Sequence, residues 1–348
     1  MRKEISSALY VPKKLKESFD KSTEAGCDAS LARRRVAVLL VCLLIAVDLF
    51  TAGKRYLSAV DFVSPRAFNS QFNKTLVDEF ILEDEDISYR IMDLSEDPFN
   101  SYRRSYWHKN IGGYSPAKLQ RYQELIDSCL YDEIDAIYDV ADSVATILEL
   151  EEKLPDIPVL SALNMKYIII ADDGAPVINH NAYGNAWFVD GIVPAASPDE
   201  ALKLTGSTDL RSVAVMEHAD AAAVSGRTLG SAAPGDSVVM ISYAPNELHF
   251  RYSTAEDRLA VFSEVYYPEG WHAWLADTGA EVSVLRADWV LRAAVLPAGN
   301  HELVMRFDPH SVSASASVSR ASSIGIIILL LLAAAGAVVL PGLKEKEE

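Results

Sequence analysis

The fold is decided by residues 238–307, VVMISYAPNELHFRYSTAEDRLAVFSEVYYPEGWHAWLADTGAEVSVLRADWVLRAAVLPAGNHELVMRF. Short apolar runs alternate there with turn signals every eight to twelve residues. Asn246, then Asp277, Thr278 and Gly279, then Pro297 to Asn300 supply the turns. This is the pattern of antiparallel strands joined by hairpins. It predicts strands over 238–244, 248–253, 259–266, 271–276, 281–285, 290–296 and 302–307. Such strands bury one face, and a second sheet is the usual cover, so a β-sandwich is expected over 236–310. Trp271, Trp274 and Trp289 fall inside it. They either fill the core or line a platform for a sugar ring.

Just beyond lies a continuously apolar run, 324–340, with Pro341 and Gly342 after it. A membrane helix over 320–341 is expected, followed by a short tail, 342–348. At the other end, residues 36–50 read VAVLLVCLLIAVDLF, directly after Arg33, Arg34 and Arg35. The reading taken is a transmembrane helix over 36–53. A signal peptide and a buried core helix are the alternatives, disfavoured by the late start and by the arginine triplet. Positive charge marks the cytoplasmic flank, so residues 1–35 and the tail with Lys344 and Lys346 are placed inside. The fold class expected is therefore α+β and membrane-anchored. Two transmembrane helices flank an extracytoplasmic region, 54–235 being an α+β part that contains the helices and 236–310 forming the sandwich. The location that follows is a cell membrane, crossed twice.

The 348 residues carry a formal net charge of -17, a poor surface for nucleic acid. Of three cysteines, only Cys129 lies in the large central region, which excludes a disulfide scaffold and a cysteine metal cluster there. The seven histidines form no HExxH pattern, and no G-x-S-x-G elbow is present. No metal and no cofactor is expected. Asp172 and Asp173 precede Gly174 as a surface turn, or more weakly as a metal pair for a sugar-phosphate donor.

Between the first apolar run and the sheet, one polar stretch stands apart: residues 101–114, SYRRSYWHKNIGGY. Arg103, Arg104, His108 and Lys109 are interleaved there with Tyr102, Tyr106, Trp107 and Tyr114. Rings stack on sugars, and guanidinium and ammonium groups pair with phosphate or carboxylate oxygens. A ligand site is read at Arg103, Arg104, Trp107, His108, Lys109 and Tyr114. The other reading is a structural loop whose charges pair with Asp93, Glu96 or Asp97. Around it, helices are expected over 69–81, from Ser115 and Pro116 through Cys129, over 132–150, and from Pro198 with Ser197 as cap. Strands are expected over 87–93, 166–171, 185–193 and 211–216. Residues 219–234 read as a mobile loop, and residues 10–19 as a linker or an amphipathic turn at a membrane surface.

Five segments in order resemble the C-terminal part of the bacterial YfhO family of membrane proteins. They are SYWHKNIGGYSPAKLQRYQELID at 105–127, LSALNMKYIII at 160–170, GNAWFVD at 184–190, YYPEGWHAWL at 266–275 and RADWVLRAAVLPAGNHELVMRFDP at 286–309. The resemblance implies kinship with lipid-linked-sugar glycosyltransferases of the GT-C type. In such enzymes the catalytic acid lies in an early extracytoplasmic loop between many membrane helices. Here a single helix precedes the matching region, so no catalytic residue is carried over. The chain reads as a truncated member, a split gene product or a fragment that works with a partner. The function expected is an accessory or substrate-guiding part of an envelope glycosyltransferase system. Its partners would be a multi-span membrane protein and a lipid-linked sugar or envelope glycan. A non-catalytic structural or assembly protein, or an inactive gene product, is the alternative. A complete enzyme ranks third, since two helices cannot enclose a lipid-sugar cavity.

Overall fold

The computed structural model describes residues 13–57 and 59–344. The chain divides after Gln71 into two units. In the first, α1 (Lys13–Tyr56) is one continuous helix of 44 residues. It takes in the part of the segment 10–19 that is described; residues 10–12 lie outside the described residues. The stretch Val36–Tyr56 is long and apolar enough to cross a membrane, and its side chains are exposed. At 1.5 Å per residue it spans about 32 Å, matching a hydrocarbon core of about 30 Å. A short helix, α2 (Pro65–Ser70), ends the unit, capped by Ser64, whose Oγ accepts the Ala67 N–H.

The second unit opens with α3 (Leu76–Leu82). The helix expected over 69–81 does not run through, because Thr75 and Asp78 form a reciprocal capping box that starts a new helix. Strand β1 (Arg90–Asp93) follows. After a long loop come α4 (Gln120–Leu125), one π-helical turn (Ile126–Leu130), α5 (Tyr131–Ala141), α6 (Ile147–Glu152) and α7 (Pro158–Ala162). The helix expected from Ser115 starts five residues later, since Ser115 Oγ accepts from Ala117 N within a turn and Leu119 is the cap. The helix expected over 132–150 is broken at Thr146, which caps α6.

Strand β2 (Met165–Ile169) pairs parallel with β1 and antiparallel with β3 (Val177–Ile178). Then β4 (Ala186–Val189), β5 (Gly191–Ala195), α8 (Pro198–Thr205) and β6 (Val213–Glu217) follow. β5 and β6 pair parallel across α8, the crossover that a parallel pair requires. Ser197 caps α8, accepting from Glu200 N. Residues 218–225 form α9 (His218–Ser225), not a loop; alanine-rich sequence favours helix wherever one face finds a core, here through Ala221 and Val224.

The hairpin strands then appear almost where the alternation places them. They are β7 (Ser237–Ala244), β8 (Glu247–Thr254), β9 (Arg258–Val265), β10 (Trp271–Leu275), β11 (Glu281–Val282), β12 (Leu285–Ala287), β13 (Leu291–Leu296) and β14 (Gly299–Phe307). They make one sheet of order β11-β10-β14-β8-β7 and another of order β12-β13-β9-β4, every pair antiparallel. Phe250, Leu303 and Met305 from the first share an apolar layer with Phe262, Ala294 and Leu296 from the second. The Phe250 and Phe262 rings meet edge to face at 4.8 Å.

No closed sandwich forms over 236–310 among the described residues. The four-stranded sheet borrows β4 from upstream, and it is buried on both faces. Leu291, Ala293 and Val295 of β13 point into the main core with Leu125, Ile134, Leu160, Ile168 and Trp187. Both faces of β13 and most of β9 are covered, which is why these runs are continuously apolar.

Asp308 N–H bonds to the Gly270 carbonyl at 2.7 Å, and α10 (His310–Lys344) begins directly after. Its stretch His310–Ala333 is also long and apolar enough to cross a membrane. The helix starts ten residues earlier than the expected 320, because the serine- and alanine-rich lead is helical, and it continues to Lys344, past Pro341 and Gly342.

Candidate functional site

The basic, aromatic stretch lies in the loop between β1 and α4. Arg104 is fully buried and spends its guanidinium internally. Nε donates to Asp93 at 2.8 Å, and Nη1 donates to Asp78 at 2.8 Å and Thr75 at 2.9 Å; Nη2 donates to Asp172. His108 Nε2 lies 3.0 Å from Asp78 Oδ1. Burial opposes ionisation of Asp78. Hydrogen bonds from His108 and Thr75 and the Arg104 charge outweigh it and hold the carboxyl well below the usual range. Arg103 pairs with Asp172 at 2.8 and 2.9 Å and with Glu96 at 2.9 Å. Trp107 Nε1 donates to the Phe72 carbonyl. Gly113 has φ 92° and its neighbour Gly112 backs onto the Pro98 carbonyl, so the pair is needed to fold this loop.

The six residues are thus not gathered into one open cleft. Arg103, Arg104 and His108 are held by acids, Trp107 by the backbone, and Tyr114 faces solvent. Lys109 turns elsewhere, donating to Ser88 Oγ at 2.7 Å with its ammonium over the Tyr243 ring. Asp172 is an ion-pair partner here, and no group of metal-ligating side chains occurs among the described residues.

The three tryptophans do not make one platform either. Trp271 and Trp274 are three apart on β10 and so face opposite sides. Trp271 lies beneath Arg292 at 3.6 Å, while Trp274 is near Arg306 at 5.4 Å. Trp289 is buried, its Nε1 donating to the Arg121 carbonyl at 2.8 Å.

Trp289 does, however, form the wall of a cleft of about 310 Å³, lined chiefly by apolar atoms. Leu119 and Arg121 come from the start of α4, Tyr266, Tyr267 and Pro268 from the β9–β10 connection, and Arg286, Trp289 and Val290 from the β12–β13 turn. The Arg121 guanidinium stacks over Trp289 at 4.1 Å, and Arg286 lies over Tyr266 at 5.2 Å. Glu217 pairs with Arg121 and reaches Arg286 at 3.8 Å, fixing both at the rim.

The turn itself is strained. Asp288 and Trp289 have φ of 47° and 66°, a region that L-residues other than Asn and Asp seldom adopt. The backbone of Val215 holds Asp288 twice: Asp288 N donates to Val215 O and the Asp288 side-chain Oδ1 accepts from Val215 N, both at 2.8 Å. Burial pushes the Asp288 carboxyl up to about 7. Aromatic walls with guanidinium groups at the rim suit a ring or an amphiphile with an anionic end.

Trp289 stands out in the sequence, whereas Arg121, Tyr266, Tyr267 and Arg286 are not among the residues read there as a site. One signal was available: the cleft draws on three of the five quoted segments, 105–127, 266–275 and 286–309. Comparison with known proteins adds nothing to this geometry: no family model, no curated protein and no solved structure matches the chain.

Proposed function

We propose that this chain is a membrane-anchored accessory protein of an envelope glycosyltransferase system of the YfhO-like, GT-C-related kind, guiding substrate without doing chemistry alone. The observation that carries the reading is the cleft of Arg121, Tyr266, Arg286 and Trp289, assembled from three of the segments that bear the resemblance. Its wall at residues 266–268 is one short connection from Gly270, which is bonded to Asp308 just before the apolar helix α10. A membrane-proximal cleft of this chemistry fits a lipid-linked sugar or an envelope glycan. Residues 59–309 are extracytoplasmic in this reading, with Arg33 to Arg35 on the cytoplasmic side.

Titration of the full chain in lipid nanodiscs with lipid-linked sugars and envelope glycans tests it. Saturable binding is expected, weakened about tenfold by Tyr267→Ala, a loss of roughly 1.4 kcal/mol. Absence of saturable binding to all of them ends the proposal. The second reading is an assembly protein with a multi-span partner. It is favoured by the internal pairing of Arg103, Arg104 and His108, which leaves those side chains a structural role. Crosslinking in native membranes should then capture that partner, and recovery of monomer alone would sink it.

A further inference from the structure

A second charged cluster lies around Glu264 at the end of β9. Arg90 of β1 pairs with Glu264 of β9, and Lys109 and Arg292 of β13 feel the same carboxylate without touching it. Arg90 Nη2 is 3.3 Å from Glu264 Oε1, while its Nη1 donates to the Leu163 and Ser263 carbonyls. Lys109 reaches Ser88 and the Tyr243 ring but no acid. Arg292 is 4% exposed; its Nε donates to Val265 O at 3.1 Å, its plane covers Trp271, and its Nη1 has no hydrogen-bond partner among the described residues.

The molecule treats its other buried arginines differently. Arg104 meets three carboxylates, and Arg258 meets Asp190 and Asp236. Arg292 meets none. A buried cation without a counter-charge costs several kcal/mol, roughly, and the cost is recovered only if an anion arrives. The electrostatics agree with the geometry. Burial lowers the Lys109 ammonium to about 8 and the Arg292 guanidinium to about 10; Arg90 adds repulsion to both, Glu264 offsets part of it for both, and the Tyr243 hydroxyl offsets a little more for Arg292. Three cations against one carboxylate leave an excess of positive charge in a chain whose net charge is -17.

We propose that Arg292, the most deeply buried of the three, forms with Arg90 and Lys109 a binding site for one phosphate-class oxyanion. The planar guanidinium offers paired donors to such a group, and the ammonium offers a point charge. A soluble phosphate compound and a lipid headgroup both present this group; the recognising chemistry is shared. None of the three side chains lines the cleft, so this proposal stands or falls separately from the function proposed above.

The test is thermal unfolding of the full chain in an uncharged maltoside detergent. One arm titrates inorganic phosphate at ionic strength held constant with sodium chloride. The other adds phosphatidylglycerol, with diacylglycerol as the uncharged control. A saturable rise in Tm is expected in at least one arm, and the responding arm identifies the source. Lys109→Gln should weaken the apparent affinity about tenfold, roughly 1.4 kcal/mol. Glu264→Gln should strengthen it, because the one repelling carboxylate is removed. That opposite sign distinguishes binding from a purely structural role, even where Lys109→Gln also lowers the starting Tm. No rise beyond the chloride and diacylglycerol controls overturns the proposal. So does an affinity that neither substitution moves.

Discussion

Arg104 carries a charge that the fold has taken out of water and surrounded with Asp78, Asp93 and Asp172. Removing it strands three carboxylates, two of them buried. Arg104→Gln should therefore destabilise the chain by about 3–5 kcal/mol. Arg103 is more than a quarter exposed, so water screens its pairs, and Arg103→Gln should cost about 1 kcal/mol or less. Thermal unfolding of the two variants in detergent measures the difference; equal costs would mean that the buried network is not what holds this loop. Sequence could show that a cluster of basic residues must find anions, but not which. The partners Asp78 and Asp172 are 26 and 68 residues away along the chain. Asp288 allows a sharper test. Its carboxyl is neutral in the fold up to about pH 7, against 3.8 unfolded. The folded state holds a proton that the unfolded state has lost, so this group's contribution is full below about pH 4 and falls as pH rises to 7. Asp288→Asn removes that slope and suits the positive φ. The variant should gain Tm relative to the parent at pH 8 and not at pH 4, by differential unfolding; an identical pH profile would refute the buried carboxyl.

At the scale of elements, period and punctuation located most strands, because alternation reports burial of one face directly. The hairpins from β7 to β14 follow from local turns. What local pattern could not give is the partner of an edge: β4 joins β9 from some seventy residues upstream, and that recruitment binds the sheet to the main core. Helix starts show the same limit. Ser197 and Ser115 both precede a proline, and the rule for caps treats them alike. Only Ser197 accepts from the N–H three residues on, because only there does the following turn, through Ala201, find a core to face. Ser197→Ala should cost about 1 kcal/mol, and Ser115→Ala within about 0.5 kcal/mol of nothing. Urea unfolding of both variants decides; comparable losses would mean that Ser115 caps more than a turn. The candidate site was legible in part for a related reason. Trp289 announces itself by size, whereas Arg121 and Arg286 gain their positions from Glu217, which is 96 residues from Arg121 along the chain and lies one residue past the expected strand 211–216.

For the whole molecule, the deciding quantity is which side of a membrane each part occupies. Two helices, one from Val36 to Tyr56 and one from His310 to Ala333, are each long enough to cross about 30 Å of hydrocarbon at 1.5 Å per residue. Their apolar side chains are exposed, and exposed apolar area on this scale is not tolerated in water. Basic residues gather before the first and after the second, so the same face of the membrane should hold both ends. On the proposed topology the folded part between them faces away from the cytoplasm. Cysteine labelling can test this with little background. Cys129 is buried and its thiol is pushed up to about 11, so it stays protonated and slow to react, and Cys42 lies within the apolar stretch of α1. In a Cys27→Ser background, Ser283→Cys places a thiol at an exposed site between β11 and β12. A membrane-impermeant maleimide should label it in intact cells. Lys3→Cys in the same background should be labelled only after the membrane is opened. Labelling of position 3 but not 283 in intact cells would invert the topology and with it the extracytoplasmic reading of the cleft. Labelling of neither before opening would place the folded part in the cytoplasm, where an envelope glycan could not reach Tyr267 and Trp289.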